Sequence, residues 1–156
     1  MAQLPMHDNL LAVYPHIIQR LQSINGVKVV KEAGELAELA NGLREKRRIA
    51  PLDGAVYVVY GGSKPTTQVG NGRFQTERLF FTFAYCSNYL SGSQSQLYEV
   101  GRVLTAIQQS FAGWLPESGL TVSAFERTES PAIEYHDSFA LYPIGFAVDV
   151  TTYSYH

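Results

Sequence analysis

The sequence predicts an α+β domain, with a mainly antiparallel four- to five-stranded sheet, helices packed on one face, and a projecting β-hairpin arm. Three observations favour this class. The chain has 156 residues, 46% of them hydrophobic, which suits one domain with one core. Segments with apolar residues at helical spacing alternate with segments of period two. Asn71-Gly72 lies between two extended segments and is a strong hairpin signal. We therefore expect a single domain over residues 1–156.

Two helices and a short strand are predicted in the first third of the chain. They are a helix over 8–23, a strand over 27–30 and a helix over 33–43. Asp8 is the expected cap of the first helix, Pro15 is expected to split or bend it near Tyr14, and Asn25-Gly26 ends it. The second helix has an inner apolar stripe of Leu36, Leu39, Ala40 and Leu43.

Two strands are predicted in the middle of the chain. After a turn at 50–54, strong β formers predict a strand over 55–60. A long strand over 73–87 follows, and its odd positions are large and apolar: Leu79, Phe81, Phe83 and Tyr85. Its even positions are polar or small, except for Phe80. This alternation predicts a sheet with one thickly covered face.

A third helix is predicted after the break at 91–93. Ser93 and Gln96 match a capping box. The apolar residues that follow at spacings of three and four are Leu97, Val100, Leu104, Ile107, Phe111 and Trp114. They form one continuous stripe, which we expect to pack against the sheet.

The remaining residues predict two more strands. The first runs over 120–126, with Leu120, Val122 and Ala124 on one face. A polar loop over 128–137 leads to the closing strand over 141–153. In that strand Ile144, Phe146, Val148 and Val150 point one way, and Gly145, Ala147, Asp149 and Thr151 point the other. The second set is small and polar, and is suited to lie against a neighbouring subunit or to line a hydrated lumen.

Charge and composition exclude several classes of protein. The formal net charge is −2, so no overall basic field argues for nucleic-acid binding. No secretion signal and no apolar run long enough for a membrane span is visible. Arg44 to Arg48 holds four of the twelve basic residues. Such a run is typical of a solvated helix end, and a docking patch for an acidic partner is the other interpretation.

The glycine-rich stretch over 60–74 invites comparison with a phosphate-binding loop. Such a loop requires a lysine that leads into a helix, whose N-terminus holds the phosphates. Here Pro65, which has no N–H, follows Lys64, and the next element is a strand. No helix follows Gly70 or Gly72 either. The outer part of the hairpin, residues 63–77, has little apolar material, so we interpret it as a projecting arm.

No group of residues predicts a catalytic, cofactor or metal site. The histidines, His7, His16, His136 and His156, share no ligand spacing with one another or with the single cysteine. Cys86 is expected to be a structural thiol. His136, Asp137 and Ser138 are too close in sequence to form a hydrolase triad. The acidic residues near that loop, Glu126, Glu129 and Glu134, are expected on a solvated surface.

Four segments carry a resemblance to a known family. They are the strand entry at 51–60, the hairpin leading into 79–83, the helix end at 111–114 and the closing strand at 144–153. In element order over nearly its full length, the chain resembles the tail-terminator proteins of long-tailed bacteriophages. These are small α+β subunits that form rings.

The resemblance implies a hexameric ring at the head-proximal end of the virion's tail, assembled in the host cytoplasm. Such a ring binds the last ring of tail tube protein, stops tube polymerisation and offers a surface to the head–tail connector or neck protein. Genomic DNA passes through its lumen without sequence-specific binding. No cofactor, membrane contact or enzymatic activity is implied.

The candidate interface residues come from the basic run and from the arm. They are Arg44, Lys46, Arg47, Arg48, Lys64, Asn71, Arg73 and Gln75. Two alternatives stay open: another ring protein of the phage neck, such as a head-completion subunit, and a small enzyme or ligand-binding α+β domain. The last would show a pocket with convergent polar groups.

Overall fold

The computed structural model describes residues 9–45, 52–88, 95–117 and 119–153. In chain order its elements are α1 (Tyr14–Gln22), β1 (Val29–Glu32), α2 (Ala33–Arg44), β2 (Ala55–Val69), β3 (Phe74–Asn88), α3 (Ser95–Phe111), β4 (Glu126–Thr128), β5 (Glu134–Tyr135) and β6 (Phe139–Tyr153). The predicted cap Asp8 and the capping residue Ser93 lie outside these ranges.

The strands form one sheet in the order β1-β2-β3-β6-β4, and β5 pairs with β6 beside β4. Within the described chain this makes six strands, one more than the upper end of the prediction. The pairing is antiparallel except between β1 and β2, which are parallel. The α+β class is confirmed, and the extra strand is the two-residue β5 inside the predicted polar loop.

One face of the sheet, the core face, carries the main hydrophobic core. Alternate residues of β2, β3 and β6 point into it, and α1 and α3 cover it with Ile17, Leu21, Val100, Ile107 and Phe111. The Phe111 ring lies 4.8 Å from the Phe83 ring and 5.7 Å from the Phe146 ring, measured between centroids. The predicted stripe of α3 is therefore confirmed, except that Leu97 is 63% exposed.

The opposite face of the sheet, the second face, has a smaller core under α2. Leu39 is buried there against Tyr57, Ala84, Cys86 and Leu141. The prediction that the helices pack on one face is therefore wrong for α2. The reason is topological: β1 pairs in parallel with β2, so the connection between them must cross over the sheet. The sequence of α2 does not indicate which face the crossover takes.

The first helix begins later than predicted. It starts at Tyr14, with Pro15 in its first turn, where a proline costs no hydrogen bond because the N–H groups of that turn have no partner within the helix. Residues 10–13 form turns instead. Proline thus starts this helix, where the prediction had it split or bend a longer one.

The strand predicted over 120–126 is mostly irregular. Only Glu126–Thr128 forms a strand there. The N–H of Val122 donates to the carbonyl of Asp149, while the Ser123 hydroxyl accepts from the N–H of Asp149. These bonds join a loop to β6 and replace a regular ladder. Leu120 and Phe125 are buried and Val122 is 52% exposed, so Leu120, Val122 and Ala124 do not share one face as predicted.

The turn between β2 and β3 is confirmed. Gly70, Asn71 and Gly72 all have positive φ, at 65°, 58° and 82°, which glycine and asparagine tolerate best. The expected interruption of the preceding strand is also present, as a register shift between Tyr60 and Ser63. The arm that follows differs from the prediction, because β6 runs beside β3 as far as Phe74. The arm therefore has three strands, where the prediction was a two-stranded hairpin.

Replacing Phe111 by alanine should empty the centre of the main core. We expect the free energy of unfolding to fall by about 3–5 kcal/mol, measured by urea denaturation. Leu97→Ala, a truncation on the exposed side of the same helix, should change it by less than about 0.5 kcal/mol. A loss below about 1 kcal/mol for Phe111→Ala would show that the stripe does not face the core.

Gly145 is needed because the chain after β4 crosses close to it. A Cβ built at this position would lie 2.5 Å from the Thr128 hydroxyl and 2.7 Å from the Glu129 carbonyl oxygen. Gly145→Ala should therefore destabilise the fold by about 1–3 kcal/mol. Gly101→Ala is the matched control, since Gly101 lies in α3 with nothing near its Cβ position. It should be neutral or stabilise by up to about 1 kcal/mol, and equal effects would contradict the account.

Candidate functional site

The sheet continues beyond the helices as a three-stranded extension, which we call the arm. It consists of residues 63–69 of β2, 74–79 of β3 and 148–153 of β6. Paired positions form successive rungs: Ser63–Leu79–Val148, Lys64–Arg78–Asp149, Pro65–Glu77–Val150, Thr67–Thr76–Thr151, Gln68–Gln75–Thr152 and Val69–Phe74–Tyr153. Because side chains alternate along a strand, alternate rungs face opposite sides of the arm.

The core face of the arm is covered near its base. Leu79, Val148 and Val150 are buried and belong to the main core. Beyond them this face carries glutamines and threonine. The base of the arm is thus held by hydrophobic packing, while its outer part depends on backbone pairing.

The second face of the arm, which we call the open face, begins with a charged rung. The Arg78 guanidinium donates from Nε to Oδ1 of Asp149 at 3.1 Å and from Nη1 to Oε1 of Glu126. Hydrogen bonds to Glu126 and then to Asp149 raise the pKa of Arg78. Lys64 is exposed on the same rung. With two cations and two carboxylates, this part of the open face has no net formal charge.

Further out on the open face, one rung carries threonine side chains and the last rung carries aromatic side chains. The hydroxyls of Thr76 and Thr151 lie 3.1 Å apart. At the tip, the rings of Phe74 and Tyr153 lie 6.4 Å apart between centroids, and Phe74 is 43% exposed. The tip thus presents an aromatic side chain to the surroundings, beside the exposed Arg73.

The outer edge of β2 carries features that oppose addition of another strand. β1 pairs only with residues 55–58. Beyond them the register shifts twice, between Tyr60 and Ser63 and between Pro65 and Thr67. Bulges, a lysine and a proline are the devices by which proteins protect sheet edges. Contacts through the faces of the arm are therefore favoured over extension of its edge.

A groove between α2 and β5 is a second candidate for binding. It holds about 320 Å³ and is lined by Ala33, Leu36, Ala37, Leu39, Ala40, Leu43, Val59, Glu134, His136 and Leu141. Its two polar groups are neighbours, since Oε1 of Glu134 lies 3.6 Å from Nε2 of His136. The groove was not predicted, because α2 was expected on the same face of the sheet as the other helices.

A family model described as phage tail terminator protein matches residues 6–154. The chain belongs to the phage tail terminator family. The resemblance in element order is therefore confirmed. No curated protein matches the chain. Family membership assigns the protein a structural role in the phage tail, in association with other tail and head components.

The candidate interface residues of this terminator fall into two places. Lys64 and Gln75 lie on opposite faces of the arm, and Asn71 and Arg73 lie in the turn at its tip. Arg44 lies at the end of α2, where its Nη2 donates to Oδ1 of Asn41 at 2.6 Å. Lys46, Arg47 and Arg48 lie outside the described residues. The sequence named the arm residues as candidates, and whether they form an interface stays a prediction; Arg78, Asp149 and Glu126 were not among them. The alternation of side chains along the predicted strands placed Arg78 and Asp149 on the faces with small residues. It could not show that these two residues lie opposite each other in the sheet.

Reactive groups in the described part of the terminator are few and dispersed. Cys86 is buried, and burial, with a smaller contribution from Asp53, raises the pKa of its thiol to about 12. Glu126 is half exposed, as expected, but is bound to Arg78. Among residues 9–45, 52–88, 95–117 and 119–153, no group of three metal-ligating side chains comes together. No helix there is long and apolar enough to cross a membrane.

Proposed function

We propose that the protein forms a hexameric ring at the head-proximal end of the tail tube. One surface of the ring binds the last ring of tube protein and ends polymerisation. Another surface receives the head–tail connector, and DNA passes through the lumen during ejection. Membership of the terminator family supports this proposal, and the arm is the structural observation that carries it.

The arm fits a role between subunits because no described helix or strand covers its open face. The helix α2 packs over Tyr57, Ala84 and Leu141, which lie in the inner half of the sheet. Outward from Arg78, the described residues provide no helix on that side. Half-exposed threonines and an exposed aromatic ring on a rigid sheet are typical of surfaces that bind another protein.

The exposed Phe74 ring favours a protein neighbour over a hydrated lumen for this face. A ring closed by rotation needs two different patches on each subunit, and the open face is proposed as one of them. The overall charge of −2 and the balanced charged rung agree with a ring that does not hold DNA by its phosphates.

The connector-binding and tube-binding surfaces must differ, because a terminator that copied the tube on both sides would continue polymerisation. Specificity of this kind requires one surface that is complementary to the last ring of tube protein and another that does not bind further tube subunits. We propose that the basic residues at 44–48 contribute to one of these surfaces by steering an acidic partner. The protein acts in this proposal as a structural subunit without catalytic activity.

A phage that lacks this protein should make overlong tails of variable length. The proposed reason is that tube subunits continue to add when no ring closes the tube. Electron microscopy of negatively stained lysates measures the lengths. Supplying the wild-type chain should restore uniform tails, and Thr151→Arg should not, because a bulky cation then stands on the open face.

Thr105→Arg is the control for that experiment. It introduces the same side chain at an exposed threonine of α3, away from the arm, and should complement fully. Thermal unfolding of both variants establishes that they fold. Tails of normal length joined to heads in the absence of the protein would remove the proposed function.

A further inference from the structure

We propose that the arm of one copy inserts Phe74 into the groove between α2 and β5 of the next copy in the ring. This inference rests on the proposed function, since it needs copies of the chain to assemble. It identifies the two complementary patches that a closed ring requires.

The donor patch is the tip of the arm. Phe74 is the exposed aromatic residue of the last rung, and Arg73 beside it forms no ion pair among the described residues. Aromatic and arginine side chains are the residues that most often anchor protein interfaces. The turn over Gly70 to Gly72 makes the tip narrow, so a side chain there can enter a groove.

The acceptor patch is the groove itself. Its wall is built mainly from alanine and leucine of α2, with Val59 and Leu141 as its floor. A volume of about 320 Å³ admits one aromatic side chain, because it lies at the small end of the range that ligand pockets span. Only two lining residues, Glu134 and His136, are polar, so an apolar occupant matches it better than a polar one.

The charges beside the groove and at the tip of the arm are also of opposite sign. The Glu134 side chain at the rim is 64% exposed, and its ion-pair partner is His136, which is charged only if protonated. A guanidinium that arrives beside the Phe74 ring would therefore meet a carboxylate with spare capacity, that of Glu134. Such rim charges select and orient a partner.

The distance between the patches makes the contact intermolecular. Val59 lines the groove and Val69 ends β2 at the tip, ten residues further along the strand. At about 3.3 Å per residue this is roughly 30 Å, so a tip cannot reach the groove of its own chain. Each copy would thus give a tip to one neighbour and receive a tip from the other.

Disulfide trapping tests the contact in the full-length chain. Arg73→Cys, which leaves the neighbouring Phe74 ring in place, is combined with Ala40→Cys in one variant, and assembly with purified tail tubes is followed by mild oxidation. The native Cys86 does not interfere, because it is buried and its thiol is protonated. We expect a ladder of covalent multimers on a denaturing gel, which reductant collapses.

The matched control combines Gln68→Cys with Ala40→Cys. Gln68 is exposed one rung from the tip but on the opposite face of the arm, and it should give no ladder. As a second measurement, Phe74→Ala should reduce ring formation about tenfold or more, the loss expected for an aromatic anchor. Phe74→Leu, which still fills the groove, should retain most of it.

The outcomes separate this inference from the proposed function. Rings that form without the Arg73–Ala40 crosslink, and that tolerate Phe74→Ala, would overturn the inference and leave the ring intact. A ladder as strong in the Gln68 control would also overturn it, because the trapping would be non-specific. If neither the wild type nor any variant forms rings on tail tubes, the proposed function fails as well.

Discussion

The structure depends on one strand that is paired on both sides along most of its length. All fifteen residues of β3 pair with β6, and β2 pairs along the other side with two shifts of register. This central strand is held by hydrogen bonds to its neighbouring strands, so it does not need helices packed over its whole length. The sheet can therefore continue past the core as a stiff extension, whereas an isolated two-stranded hairpin would be only marginally stable.

The hydrophobic core ends before the sheet does. On the core face, buried residues reach Val150 in β6, and on the second face they stop at Ala147, before Asp149. The arm beyond these points is held by its ladder and by the ion pairs of Arg78. A surface that is rigid but uncovered is available to a neighbour without the entropic cost of ordering a loop. This links the long strands to assembly, the step by which a tail protein acts.

Local pattern predicted much of this fold, and long-range pairing accounts for the failures. Apolar residues at every second position predicted that Phe83 and Phe146 lie in the core, and Asn71-Gly72 predicted the hairpin. The face chosen by α2 depends on a crossover that its own residues do not encode. Likewise, nothing near Ser63 or Phe74 indicates that β6 runs beside them. The groove was missed because it requires α2 and β5, which are about ninety positions apart in the chain, to meet on one face.

The central claim is that the open face of the arm lies against the adjacent subunit in a ring. An electron cryo-microscopy reconstruction of the head–tail junction, at a resolution that shows side chains, tests it most directly. The account predicts a sixfold ring in which Thr76 and Thr151 of every copy are covered by a neighbour. A reconstruction in which these threonines line the open lumen or face solvent, or in which the chain forms no ring, would contradict it.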